Sequence, residues 1–363
     1  MRKILWISPN LPHYKIRFLD KLSHYENYEI IYLGIIQDMS QGYRSPKNSA
    51  GVSVKLQRGS KKYFALNINI WLKILSTLLN YKFNYVLIPV EIKFLPLIFY
   101  IYLLKKVFRY TLFAYNHSGL RTRRGKSLIT LSTRRILFSL FDKVIFYTKG
   151  ERELALQYKL IHPQKAFYAN NTLDTELIQK NYNFKINESP QKNILFIGRL
   201  IPDKKIDLLF KYFYELKKYM ANLTLSIVGD GPEAEKIKRV EKQNSDVRWY
   251  GAIIDEAKIS EIMDSSHIVF IPGHTGLSIV HAFCYGKPFI TLSSYKFQPP
   301  EIDYLEHGVN GLILPGNIND DIPYFIDLLQ DKKKYKQFCM NAYEKAKKLS
   351  IQNWCRQMKN SLV

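Results

Sequence analysis

Cysteine is scarce in this sequence of 363 residues, and the three that occur, Cys284, Cys339 and Cys355, are an odd number without a CxxC pair. Small secreted domains that depend on disulfides carry more cysteines than this. We therefore expect reduced thiols and a cytoplasmic protein. The opening apolar run, KILWIS, is too short for the core of a signal peptide, and it predicts a buried first strand instead.

Long hydrophobic runs are also missing. The longest uncharged stretch, Phe94 to Leu104, has about half of the roughly 20 residues that a helix needs to cross a bilayer, and Pro96 interrupts it. Because Lys105, Lys106 and Arg109 follow directly, two interpretations stay open. The segment is either an interfacial helix with a basic edge, peripheral on the inner face of a membrane, or a core helix between sheet and solvent.

Acidic residues are few relative to basic ones, with 31 Asp and Glu against 54 Lys and Arg and a formal net charge of +23. Such a charge attracts phosphates, nucleic acid or anionic lipid. No helix-turn-helix or RRM signature is present, so we expect no nucleic-acid partner. Neither an Asp-x-Asp motif nor a histidine cluster with metal-ligand spacing follows a strand, so we expect no bound metal ion.

Short apolar runs alternate with longer helical patterns along the whole chain, which is typical of α/β proteins with parallel sheets. A polar stretch, Asn181 to Lys192, separates two such series of runs. We predict a domain at 1–180, a second at 181–345, and a helix at 346–363 that returns to the first domain. Two doubly wound halves would face each other across a cleft, with ligands at the carboxyl ends of the strands.

The second half opens with a predicted strand that ends at Gly198, followed by Arg199 and, five residues later, Lys204. The glycine would allow a ligand to approach the backbone. Both cationic heads could converge on one diphosphate, the guanidinium as a bidentate fork and the ammonium as a point charge. The alternative is a pair of solvated loop cations.

The next motif, IVGDGPEAEKI, contains Gly229, Gly231 and Ala234 in the order of a dinucleotide fingerprint, and we assign the two glycines to donor binding. Taken alone, the motif suggests a nicotinamide cofactor. However, the following strand does not end in the acidic residue that such a cofactor needs, and the motif follows an internal strand of its domain. A nicotinamide cofactor is therefore not favoured.

The segment IPGHTGLSIVHAFCYGKP predicts a strand, a loop with Gly273 and Gly276, and a helix from about Leu277. Free backbone amides of Gly276, Leu277 and Ser278 would point at an anion, and the helix dipole would add to their attraction. Ser278 and His281 are three residues apart and share a helix face. His281 would then contact a group beside the bound phosphates, or else pack against the neighbouring loop.

In the first half, candidate residues follow two predicted strands. His117 comes directly after the strand YTLFAY, and a basic run that begins at Arg121 follows it. An acceptor that carries phosphate would find partners in this run. After the first strand, His13 and Tyr14 would contribute to the cleft wall and contact the acceptor.

These motifs together resemble family 4 of the retaining glycosyltransferases, whose members have the GT-B fold of two facing Rossmann-like domains. The resemblance covers almost the whole chain, and it rests on GRLIPDK, IVGDGPE, GLSIVHAFCYGKP and PEIDYLEHGVNGLILP, with YNHSG and VIFYTKGERELA in the first half. It implies that Arg199 and Lys204 neutralise the donor diphosphate and that the amides from Gly276 to Ser278 hold it. His117 would lie near the transferred sugar.

One feature departs from that family, which usually has two glutamates eight residues apart around the glycine loop. Here Gly273 stands near the first place and His281 occupies the second. A subgroup that acts on polysaccharide and lipid-linked glycan precursors shares the GLSxxHA form. The resemblance thus implies retaining, metal-independent transfer from a nucleotide-diphosphate sugar, as co-substrate rather than cofactor, to a glycan or lipid-linked acceptor in lipopolysaccharide or capsule synthesis.

Two other functions remain open at this stage. The missing glutamates are compatible with a catalytically silent subunit that binds a nucleotide sugar or a glycan. A nucleotide-sugar epimerase of GT-B fold would share the same donor motifs, but its reaction would need no acceptor.

Overall fold

A computed structural model describes residues 1–9, 15–35, 47–57, 61–121, 125–293 and 297–363. These residues form two compact units. The first comprises Met1–Asn171 together with Ile351–Val363, and the second comprises Thr172–Ser350.

The first unit contains a seven-stranded parallel sheet with the order β3-β2-β1-β4-β5-β6-β7. Its strands are β1 (Arg2–Ile7), β2 (Tyr28–Ile35), β3 (Val52–Gln57), β4 (Tyr85–Ile88), β5 (Thr111–Asn116), β6 (Lys143–Phe146) and β7 (Ala166–Tyr168). Its helices are α1 (Lys15–Glu26), α2 (Ile68–Asn80), α3 (Leu95–Phe108), α4 (Leu128–Ser139), α5 (Lys149–Gln157) and, from the end of the chain, α13 (Ile351–Leu362).

Alternate residues of the central strands supply two separate cores in the first unit, because successive side chains of a strand point to opposite faces. Helices α2, α3 and α4 contribute to one core, and helices α1 and α13 contribute to the other. The indole of Trp354 in α13 lies edge-on to Phe18 with ring centroids 5.3 Å apart, and its Nε1 donates to Tyr115 Oη at 3.0 Å. This packing agrees with the predicted return of the last helix to the first domain.

The second unit contains a six-stranded parallel sheet with the order β10-β9-β8-β11-β12-β13. Its strands are β8 (Asn193–Ile197), β9 (Thr224–Val228), β10 (Val247–Trp249), β11 (Ile268–Phe270), β12 (Phe289–Leu292) and β13 (Gly311–Leu314). Its helices are α6 (Thr175–Asn181), α7 (Ile206–Lys217), α8 (Ala234–Gln243), α9 (Glu256–Ser265), α10 (Ser278–Cys284), α11 (Ile318–Gln330) and α12 (Lys332–Lys348).

The boundaries of the units differ from the predicted ones. The chain enters the second unit at Thr172, before the polar stretch in which we placed the boundary, and it leaves at Ser350. The reason is α6, whose Ile178 belongs to the core of the second unit. The polar stretch is therefore a surface segment of the second unit and not a linker.

Candidate active site

The two loops that matter most in the second unit follow β8 and β11. These strands are neighbours in the sheet, and the order of the strands reverses between them. In open parallel sheets, ligands bind at such a reversal, outside the carboxyl ends of the strands. The loop after β8 carries Gly198 to Lys205, and the loop after β11 carries Gly273 to Leu277.

Lys204 connects these two loops. Its side chain is buried, with 6% of the residue exposed, and its Nζ donates to the carbonyl oxygen of Thr275 at 2.9 Å. Burial, and after it the nearby Arg199, lower the pKa of Lys204 to about 8, while Glu301 acts in the opposite direction. A buried ammonium with one backbone acceptor still has two N–H groups to offer a ligand anion.

Ser278 lies at the same place, at the start of α10. Its Oγ donates to the carbonyl oxygen of Ile197, the last residue of β8, at 2.9 Å. A Cβ added at Gly198 would lie 3.6 Å from this Oγ and 3.5 Å from Lys204 Nζ. The structure therefore brings Gly198, Lys204 and Ser278 together, and their binding of a donor stays a prediction.

Gly276 precedes α10 with a φ of +73°, which an L side chain rarely adopts. Among the described residues, a Cβ placed here would come within 4 Å of Pro299 alone, at 4.0 Å. The next residue, Leu277, is the N-cap of α10. The N–H groups at the start of a helix have no acceptor inside the helix, which leaves them available to a ligand.

At three other positions predicted for the donor site, close packing explains why the residue is glycine. A Cβ at Gly229 would collide with the carbonyl oxygen of Gly198, and one at Gly231 would collide with that of Leu200. A Cβ at Gly273 would collide with the carbonyl oxygen of Asp203. These glycines allow three post-strand loops to pack closely, and a direct contact of each with the donor stays a prediction.

His281 has partners that the sequence did not reveal. Its Nε2 lies 2.9 Å from Glu256 Oε1, and the hydroxyl of Tyr285 donates to the same oxygen at 2.6 Å. Burial raises the pKa of Glu256, but the hydrogen bond and electrostatic interaction with His281, together with the hydrogen bond from Tyr285, outweigh burial and lower the pKa overall. Glu256 is the first residue of α9, and no motif in the sequence pointed to it.

Gln298 is a second residue that sequence reasoning missed. Its Oε1 accepts hydrogen bonds from the backbone N–H of Thr275 at 3.1 Å and from the Thr275 hydroxyl at 2.9 Å. Its Nε2 donates to the carbonyl oxygen of Gly273 at 2.9 Å. One side-chain amide thus holds Gly273 and Thr275 in the loop after β11.

In the first unit, His117 follows β5 and is partly buried. Burial lowers the pKa of His117, whereas Glu151 and Glu91 act in the opposite direction. Asn116, one residue earlier, donates from Nδ2 to the carbonyl oxygen of Val90 at 2.5 Å and holds the end of β5 against the end of β4. His117 is thus presented from a fixed backbone.

The loop after His117 is fastened by a carboxylate that we did not predict. Glu151 is fully buried and accepts hydrogen bonds from the backbone N–H of Ser118 and from Arg121 Nε, the latter at 3.0 Å. Arg134 donates to the carbonyl oxygens of Ser118 and Gly119. Arg121, which we assigned to the acceptor, is therefore also a structural partner of a buried acid.

A signal for Glu151 was present in the sequence. Thr148 and Glu151 have the spacing of a capping box, and Thr148 Oγ1 indeed accepts from the N–H of Glu151 at 3.1 Å at the start of α5. The remaining acceptor-side candidates, His13 and Tyr14, lie outside the described residues. Across the described ranges, no group of three His, Cys, Asp or Glu side chains is arranged to hold a metal ion.

Comparison with known proteins adds to this geometry. Residues 178–345 match the family model described as "Glycosyl transferases group 1", which corresponds to nearly all of the second unit. An uncharacterized glycosyltransferase of Haemophilus influenzae is 26% identical over 212 residues, which are 56% of this chain and 56% of that protein. The second unit is therefore similar to the group 1 glycosyl transferases.

Two solved structures resemble this chain over its full length. HepE of Anabaena in complex with UDP and glucose has a TM-score of 0.65 at 18% identity, covering 100% of this chain and 99% of that chain. Sucrose-phosphate synthase of Thermosynechococcus elongatus has a TM-score of 0.74 at 16% identity, covering 99% and 98%. At such identities the likeness shows the fold alone, and it confirms the predicted GT-B class with two Rossmann-like domains.

Proposed function

We propose that this protein is a glycosyltransferase that transfers a sugar from a nucleoside-diphosphate sugar to a glycan or lipid-linked acceptor in cell-surface polysaccharide synthesis. We further propose retention of the anomeric configuration and no bound metal ion. The observation that carries the proposal is the buried Lys204 at the strand reversal, beside Gly198 and Ser278. The matched family and the UDP and glucose in the complex of HepE support the same donor class.

The chemistry that these residues offer is electrostatic. When the bond between sugar and diphosphate breaks, negative charge develops on the leaving diphosphate. Lys204 and Arg199 would stabilise that charge, and the amides between Gly276 and Ser278 would bind its oxygens. His117 would orient the transferred sugar, and the departing phosphate itself would take the proton of the acceptor hydroxyl.

A ligand panel tests this proposal. Thermal shifts with UDP, GDP, dTDP and CMP sugars should identify one donor, because a ligand at 100 times its dissociation constant adds about 2.7 kcal/mol of stability. Sugar transfer to a glycan acceptor should then follow. Donor binding without turnover would instead indicate a silent binding subunit, and release of an isomer without an acceptor would indicate an epimerase.

The pH dependence of the donor reaction should follow the ionisation of Lys204. Its pKa is lowered to about 8, so the free protein loses this positive charge as the pH rises through about 8. We expect kcat/KM for the donor to fall above this pH by up to about tenfold per pH unit, because kcat/KM reports ionisation of the free enzyme. The Lys204→Met variant should be less active, and it should lack this particular decline. A decline of the same shape in both proteins would contradict the assignment.

A second part of the proposal concerns the membrane. We propose that the protein works peripherally on the cytoplasmic face of an anionic membrane. Helix α3 buries Leu97, Ile98 and Ile101 in the core. On its other side, Leu95, Phe99, Leu103 and Val107 form an apolar ridge at four-residue spacing, and they are 43%, 52%, 44% and 72% exposed. The core interpretation thus holds for one side of α3, and we propose the interfacial interpretation for the other side.

Helix α2 extends the ridge. The indole of Trp71 stacks on the ring of Tyr100 at 4.6 Å, which places α2 beside α3, and Ile68, Leu72 and Leu79 of α2 are exposed. Neither helix contains Asp or Glu, and Lys105 and Lys106 occupy the last turn of α3. Exposed apolar side chains beside basic ones are suited to binding at the interface of an anionic membrane. No helix among the described residues is long and apolar enough to cross a membrane.

Vesicle sedimentation tests the proposed membrane binding. We expect binding to phosphatidylglycerol vesicles that weakens with added salt, and much weaker binding to phosphatidylcholine vesicles. The double variant Phe99→Ser with Leu103→Ser should lose most of the binding, whereas Tyr219→Ser, which changes an exposed aromatic residue of the second unit, should retain it. Equal, negligible binding to both kinds of vesicle would contradict the proposal.

A further inference from the structure

Glu256 lies at the same edge of the second sheet as the proposed donor site. Helix α9 follows β10 and helix α10 follows β11, so the first turns of both helices lie at the carboxyl ends of the strands. Glu256 is the first residue of α9, and His281 is one turn into α10. Their side chains are 13% and 14% exposed, respectively.

The hydrogen bond between them has a consequence for the imidazole. In a neutral imidazole one nitrogen carries the proton and the other is an acceptor. A carboxylate can only accept, so Glu256 requires the proton of His281 to be on Nε2. Nδ1 is then the acceptor, and within the described part of the chain it makes no hydrogen bond. A carboxylate that fixes the tautomer of a functional histidine is a common arrangement in metal sites, and the same physics applies here.

The direction of His281 favours a ligand contact. Residues three apart on a helix share a face, and Ser278, on that face, bonds to Ile197 at the end of β8. Tyr285, one further turn along, is fully buried, bonds to Glu256 and packs on Tyr182 with ring centroids 4.7 Å apart. Tyr285 therefore connects α10 to α9 inside the core, whereas the side chain of His281, one turn nearer the start of α10, stays 14% exposed.

We propose that Glu256 is a positioning residue for the donor: it fixes the ring of His281 so that Nδ1 accepts a hydrogen bond from a ribose hydroxyl of the nucleoside diphosphate. This inference rests on the proposed function, because it takes the ligand to be a nucleotide. It also gives a physical reason why histidine can occupy this position. A carboxylate at 281 would face the carboxylate of Glu256, and two such charges repel in a partly buried site.

The test compares the affinities for UDP and for 2′,3′-dideoxy-UDP, measured by calorimetric titration. The unaltered protein should prefer UDP by about tenfold, the effect of one hydrogen bond to a partly buried acceptor. Glu256→Ala should lose most of this preference. Glu256→Gln should retain it, because one amide oxygen can still accept from both His281 and Tyr285, which use the same oxygen of Glu256.

Two control variants separate an effect on the position of His281 from an effect on the stability of the fold. Tyr285→Phe removes the other hydrogen bond to Glu256, and it should lower the melting temperature without changing the preference for UDP. Glu261→Gln changes an exposed carboxylate of the same helix and should change neither quantity. In addition, ¹⁵N spectra of the unaltered protein should show His281 protonated on Nε2, and this tautomer should be lost as the dominant form in Glu256→Ala.

The outcomes distinguish this inference from the proposed function. An unchanged preference for UDP in a folded Glu256→Ala variant, or a proton on Nδ1 of His281 in the unaltered neutral ring, would overturn the positioning of His281. Sugar transfer by the unaltered protein would still stand in that case. Failure of the unaltered protein to bind any nucleoside diphosphate would overturn both.

Discussion

Replacing Lys204 by methionine is expected to lower kcat/KM for sugar transfer by about 30- to 1000-fold, which corresponds to roughly 2 to 4 kcal/mol of transition-state stabilisation. The ammonium is buried and contacts the loop after β11, so its charge acts in an environment of low dielectric constant, where it is less screened than at the surface. Methionine fills a similar volume without the charge. Arg199→Ala should act in the same direction, because Arg199 belongs to the same cationic pair.

Stability measurements accompany this prediction. Burying the ammonium is unfavourable, as its lowered pKa shows, so Lys204→Met should not lower the melting temperature greatly. Lys211→Ala removes an exposed lysine from α7, and it should leave turnover and melting unchanged. Near-normal kinetics in both Lys204→Met and Arg199→Ala would remove the assignment of this pair to the diphosphate.

The substitution His117→Ala is expected to reduce turnover by about a hundredfold while nucleotide affinity survives. The proposed donor-binding groups belong to the second unit, whereas His117 is held in the first unit by the end of β5 and by the loop that Glu151 holds in place. Loss of the imidazole should therefore affect placement of the sugar, and misplacement of a reacting group by about 1 Å can cost about 100-fold in rate.

The measurement is turnover together with titration of the nucleoside diphosphate. His162→Ala, which removes an exposed histidine of the same unit, serves as the control and should behave like the unaltered protein. A collapse of nucleotide affinity together with activity in His117→Ala would place His117 in a different site or in the core.

The centre of the candidate donor site could be predicted from the sequence. Apolar runs separated by helical patterns imply parallel strands, and parallel strands bring their carboxyl ends to one edge. It follows that residues directly after β8 and β11 come together, and the structure indeed places Lys204 against Thr275 and Ser278 against Ile197. The order of these residues along the chain was sufficient to predict that they meet, because each of them follows its strand closely.

Strands β3, β7 and β13 each lie at an edge of a sheet. An edge strand has a neighbour on one side only, and it needs less apolar sequence than a central strand that is covered on both faces. β3 has one buried residue among six, and β7 has one among three. The continuous apolar run by which we identified the central strands is therefore absent from both.

The sequence by itself determined the two parallel sheets and the positions of the loops that follow their central strands, because hydrophobic periodicity and glycine placement are local properties. Only the tertiary structure decided which side chains meet within these loops. Glu256 reaches His281 because α9 and α10 begin at the same sheet edge, and Glu151 reaches Ser118 because α5 begins beside the end of β5. These pairs depend on how helices pack against a twisted sheet, and a distance along the chain does not specify that packing.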